Sequence, residues 1–206
     1  MRKLIVLALF IIGLSGCSTY NVNVTGFGGL NAYPVKTYDF RLSKEITSDL
    51  ESMEYVKLLE KQLACAGWQR DTTAPIYTII PTFSIIMGKL ESDSKARVGF
   101  GLGTGSFGNN IGLGTFIGTS TGSAIETEFT KLLDLKLLLS TQTEDTPLWQ
   151  GKIYIQNAED QLSKVMPVLI KYGVENFGIQ TNGQEEFTFD ASEKNLKIIE
   201  DCTIEN

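Results

Sequence analysis

Two alternating runs, separated by five turn-forming residues, constrain this chain more than any other feature. In EFTKLLDLKLLLSTQ, beginning at Glu128, the residues Phe129, Lys131, Leu133, Leu135, Leu137 and Leu139 fall on one side, and Leu132, Asp134, Lys136 and Leu138 on the other. In LWQGKIYIQ, Leu148, Gln150, Lys152 and Tyr154 stand opposite Trp149, Gly151, Ile153 and Ile155. Period two is the side-chain period of a β-strand. TEDTP between the runs supplies turn chemistry, so the chain goes out and comes back.

More strands and two helices are legible around this unit. VKTYDF, ending at Phe40, reads as a first strand, and APIYTIIPTFSIIMGKL as a long one. Pro81 cannot donate to a ladder, so a bulge or a sheet edge is expected there. Between them Met53, Val56, Leu59, Leu63 and Ala66 step by three or four residues and form one apolar helical face over 52–66. Ser48 and Glu51 match a capping box, Ser52 is a rival N-cap, and Gly67 is the natural stop. Glu54 and Glu60 lie off the apolar face, as a solvated helix surface requires. A second helix is expected over 159–177, with Leu162, Val165, Met166, Leu169, Tyr172 and Phe177 toward the core. Pro167 should kink or delay it.

The stretch RVGFGLGTGSFGNNIGLGTFIGTSTG, residues 97–122, superficially resembles a phosphate-binding loop. A dinucleotide fingerprint needs a strand before it, a helix after it and a later acidic residue. Here glycines alternate with Val98, Phe100, Leu102 and Thr104, and again with Ile111, Leu113 and Thr115. The expectation is a hairpin with a bare glycine face and an apolar face. A bare face admits close approach by the protein's own helix, a second copy or lipid. Phe100, Leu102, Ile111 and Leu113 are the candidate contact residues.

The amino-terminal residues read as a processing signal. Arg2 and Lys3 precede an apolar run over 4–14, then the small residues Ser15 and Gly16. Spanning a bilayer takes about 20 apolar residues, and this run is shorter. Leu14-Ser15-Gly16-Cys17 resembles the lipobox of bacterial lipoproteins. That resemblance implies a signal peptide over 1–16, cleavage before Cys17, a diacylglycerol on its thiol and an acyl group, such as palmitate, on the new amine. Several acyl chains hold a protein to a membrane firmly where a single chain holds it marginally. Ser18 in place of an acidic residue implies sorting to the outer membrane, facing the periplasm. Residues 17–34, polar and rich in glycine, read as the lipidated cysteine and a tether, although Val22 and Val24 alternate well enough to add an edge strand.

Charge and residue inventory narrow the function. The whole chain carries 18 basic and 24 acidic residues, a net charge of −6. Loss of Arg2 and Lys3 leaves 16 − 24 = −8. An acidic body repels phosphate backbones, which argues against a nucleic-acid partner. There is no histidine, so the commonest general base, the usual triads and most zinc sites are missing. No cofactor or metal motif is present. Cys65 and Cys202 could be bridged, as thiol pairs outside the inner membrane tend to be, or Cys65 could be a small core residue and Cys202 a free thiol in the tail. An enzyme acting on envelope glycans would use paired carboxylates, such as Asp39, Asp134 or Glu126.

Several marks occur in a fixed order: the lipobox, Tyr38-Asp39-Phe40, a helix ending at Gly67-Trp68, Pro75 to Ile79, the glycine-rich hairpin, a strand with interior Asp134, Leu148 to Gly151, and a final helix. Over residues 35–178 this resembles the bacterial envelope lipoproteins grouped as domain of unknown function 4136. The family more often has an acidic residue where Ile76 stands. The resemblance implies a β-α-β-β-β-β-α domain and no catalytic residues. The expectation is therefore an α+β fold: a mostly antiparallel sheet of about five strands with two helices packed on one face. Residues 179–206 should form an acidic tail with a short EFTF strand. The expected role is a non-enzymatic, lipid-anchored envelope lipoprotein that binds or scaffolds an envelope protein or glycan. The alternative is an oligomeric or membrane-contacting element that uses the 97–122 hairpin.

Overall fold

The computed structural model describes residues 19–29, 35–90, 126–141, 146–157 and 159–201. Its strands are β1 (Thr19–Gly28), β2 (Thr37–Phe40), β3 (Gln69–Arg70), β4 (Tyr77–Leu90), β5 (Glu126–Leu139), β6 (Trp149–Asn157) and β7 (Glu185–Asp190). Its helices are α1 (Lys44–Ser48), α2 (Leu50–Cys65), α3 (Met166–Glu175) and α4 (Glu193–Asp201).

The seven strands form one mixed sheet in the order β3-β2-β4-β5-β6-β1-β7. This corrects the expected sheet of about five mostly antiparallel strands with two helices. Three features of the chain account for the difference. The helical excursion between β2 and β4 brings the chain back in the same direction, so β2 pairs in parallel with β4, and also with β3. Residues 17–34, expected as a tether, contain β1. It lies inside the sheet, antiparallel to β6 on one side and β7 on the other. The acidic tail after 178 supplies both β7 and α4.

The alternating runs do pair as expected. Phe129↔Asn157 through Leu137↔Trp149 form an antiparallel ladder, and β4 joins β5 from Tyr77↔Leu139 to Leu90↔Glu126. That register holds past Pro81 without a slip, so Pro81 makes no bulge. Arg41 N donates to Ile79 O at 3.0 Å, so the odd-numbered backbone groups of β4 point toward β2. The missing Pro81 N–H therefore faces the side where β2 has already ended, at the sheet's edge.

Helices cover one face. Leu133, Leu135, Leu137, Ile153, Ile155, Val22 and Val24 are buried beneath them. α2 contributes Tyr55, Val56, Leu59 and Leu63, and α3 contributes Met166, Leu169, Ile170 and Val174. Gly173 keeps α3 close to the sheet, because a Cβ there would press on the ends of Leu133, Leu135 and Ile153 at 3.2–3.3 Å. The N-cap of α2 is Asp49, whose carboxylate accepts from Ser52 N at 2.8 Å, rather than Ser48 or Ser52. Gly67 ends that helix with φ of 82°, a left-handed conformation that glycine adopts without strain. Pro167 delays the second helix: α3 starts at Met166 with Pro167 in its first turn, where no N–H is required. Among the described residues no helix is long and apolar enough to cross a membrane.

Candidate functional site: the open face of the sheet

The face away from the helices is open in part: Phe27 and Ile86 are exposed there, while Asn23, Thr130 and Leu138 are buried. Register fixes its rows. Ile86, Thr130 and Gln156 lie across β4, β5 and β6; the next row is Ser84, Leu132, Tyr154 and Asn23; then come Thr82, Asp134, Lys152 and Thr25. Alternation puts these side chains opposite the buried leucines of the same strands. A groove of about 280 Å³ runs over them, lined by Thr25, Phe27, Ile86, Thr130, Leu132, Lys152, Tyr154 and Gln184. Its floor is apolar and its rim carries hydroxyls, an amide and one ammonium, the composition of a recognition surface.

Side-chain hydrogen bonds hold this surface in place. Gln150 Nε2 donates to both oxygens of Asp134, at 2.9 and 2.8 Å. Gln156 Nε2 donates to Thr130 Oγ1 at 3.1 Å. Tyr154 O–H donates to Gln184 Oε1 at 2.6 Å, and Gln184 Nε2 donates to Asn23 Oδ1 at 2.6 Å, tying β6 to β1 through the loop before β7. Burial, aided by the Glu186 charge, raises the Tyr154 phenol above its ordinary range, so it stays a neutral hydrogen-bonding group. The Lys152 ammonium, across from Asp134 in register, makes no ion pair or hydrogen bond among the described residues.

The carboxylates named from the sequence are not gathered. Asp39 is held by Arg70 at 3.0 Å, and Arg70 also reaches Glu60 at 3.1 Å and stacks over Phe40. Asp134 lies on β5, two strands from β2, and is taken up by Gln150. Glu126 begins β5 at the far end of the β4–β5 ladder. Among the described residues no group of three or more His, Cys, Asp or Glu is placed to hold a metal ion.

Cys65, the last residue of α2, is disulfide-bonded. Cys17, Cys202 and the hairpin residues Phe100, Leu102, Ile111 and Leu113 lie outside the described residues.

Two features escaped the sequence reading. Lys131 shares the helix-side face of β5 with Leu133 and is wholly buried. Its Nζ donates to Asn157 Oδ1 and lies 5.9 Å from the Phe129 ring, and burial pushes its pKa down. Strand alternation placed it among leucines, which was the available signal. Trp149 extends over Gly151, and its Nε1 donates to Ile179 O at 2.8 Å, closing the loop after α3 against the sheet. Gly151 pairs with Gly26, and a Cβ on either would overlap the indole or the Ile179 carbonyl.

No protein-family model and no curated protein matches the chain. Some solved structures are similar to it at low identity. A PDZ domain protein from Parabacteroides distasonis is similar at 12% identity and a TM-score of 0.49; the match covers 88% of this chain but 41% of that one. Two crystal forms of a PelC dodecamer from Paraburkholderia phytofirmans are similar at 8% and 10% identity, with TM-scores of 0.40 and 0.39. They match over 78% of this chain and 99% of theirs.

Proposed function

We propose that this protein is a lipid-anchored lipoprotein of the bacterial outer membrane, held through Cys17, that binds or scaffolds another envelope component without catalysing a reaction. The binding surface in this reading is the open face of the sheet. The groove over Leu132, Lys152 and Tyr154 carries the proposal: it combines exposed apolar surface, fixed hydrogen-bonding groups and an ammonium that has no ion-pair partner among the described residues. The Leu14-Ser15-Gly16-Cys17 box supports the anchor. The scattered carboxylates and the lack of histidine support a binding role over a hydrolytic one.

The test is photo-crosslinking in intact cells. A crosslinking amino acid replaces Phe27, which lines the groove at 52% exposure, and in a control replaces Lys57 on the solvent side of α2. The reading predicts one discrete envelope adduct from the Phe27 position and none from Lys57. Identical patterns from both positions would contradict it.

A second reading keeps the 97–122 hairpin as an oligomeric or membrane contact. In its favour, β4 and β5 run on as a pair past the end of β6 at Asn157, up to Leu90 and Glu126.

A further inference from the structure

We infer that the end of the sheet where β1 begins is seated on the bilayer, with Ile85 and Met87 of β4, and Ile86 at the adjoining end of the groove, entering its interface. This rests on the acylation of Cys17 and adds the surface that meets the lipid.

The register sets the geometry. Met87 pairs with Phe129, and Phe129 pairs with Asn157. Val22 pairs with Ile155 in an antiparallel ladder, so Thr19 and Tyr20 extend toward that same end of the sheet. Thr19 is two residues beyond Cys17, and two extended residues reach roughly 7 Å. An acylated Cys17 thus holds the start of β1, and with it the end of the sheet that carries Met87, close to the lipid surface.

At that rim β4 itself is apolar, although Glu128, opposite Gly88, and Asn157 at the end of β6 are polar neighbours. Ile85, Ile86 and Met87 are 42%, 45% and 65% exposed, and successive strand residues point to opposite faces. Apolar surface on both sides of one strand suits insertion into an interface better than packing on a single layer. α2 adds to the same end. Tyr55 near its start stacks on Phe83, while Trp68 just after it stacks on Tyr77, so the helix runs opposite to β4. Its first residue, Leu50, is 87% exposed. Other exposed apolar side chains, Phe27 and Ile76 among them, lie toward the opposite end of the sheet. β1 spans ten residues, roughly 30 Å, so the anchor holds them away from the lipid.

The experiment uses the full, processed protein in its native membrane. A photo-crosslinking amino acid replaces Met87 in one variant and Ile76 in another, and the irradiated protein is weighed by mass spectrometry. The expected result is phospholipid adducts from the Met87 position and none from Ile76. Acylated Cys17 with no lipid adduct at Met87, with equal adducts at both positions, or with a Met87 crosslink to a second copy overturns the inference and leaves the anchor standing. A Cys17 without acyl chains overturns both.

Discussion

Gly151 is a glycine because Trp149 lies across it. The Leu148 to Gly151 motif was legible in the sequence as a marker; the reason for its last residue was not, since it depends on an indole folding back over its own strand. Replacing Gly151 with alanine forces that ring off its site and weakens the Trp149–Ile179 hydrogen bond. The expected cost is about 1–3 kcal/mol in urea unfolding, and a change within experimental error would contradict the packing. Lys131 makes a different case. Its burial lowers the folded-state pKa, so the unfolded chain holds the proton more tightly. Stability therefore rises with pH between the folded value and the unfolded value of about 10.4. Glu159, Asp160 and Glu128 offset part of this. Lys131→Met should raise stability by about 1 kcal/mol at pH 7, and the gain should shrink toward pH 10.5. A gain that does not change with pH would exclude the titration of Lys131 as its source.

At the scale of elements, periodicity located the hairpin of β5 and β6, the long β4, and the buried stripe Val56, Leu59 and Leu63 of α2. It under-read β1, because Val22 and Val24 are a thin signal in a polar, glycine-rich segment, and the ladders to β6 and β7 are long-range. A chain beginning at residue 30 should accordingly fail to fold, since β6 and β7 lose the strand between them. An unchanged melting temperature would restore the tether reading. The chain's end is under-read for the same reason: α4 packs where Gln62 of α2 donates to Ile199 O. Cys202 follows α4 directly, and Cys65 closes α2 and is bridged. We therefore expect a Cys65–Cys202 bond, seen as one linked peptide in a non-reducing digest, whose reduction costs about 3–5 kcal/mol. Any other pairing of Cys65 would contradict this.

At the scale of the molecule, sheet order was the part the sequence concealed. Strand periodicity tells which residues alternate, not which strands become neighbours, and the parallel pairing of β2 depends on a crossover that periodicity does not encode. The open-face groove was hidden for the same reason, because Phe27, Ile86, Lys152 and Gln184 come from four separate stretches of chain. With the order known, the molecule has a helix-covered side, a second face that carries the groove, and an end that presents exposed apolar residues beside its amino-terminal strand. Cys17 is the residue on which the proposed location turns. The direct measurement is the intact mass, with fragmentation of the amino terminus, of protein isolated from its native membrane. The expected chain begins at Cys17 and carries diacylglycerol on sulfur and an acyl group on nitrogen; a bare thiol, or residues 1–16 still attached, would contradict the lipid anchor.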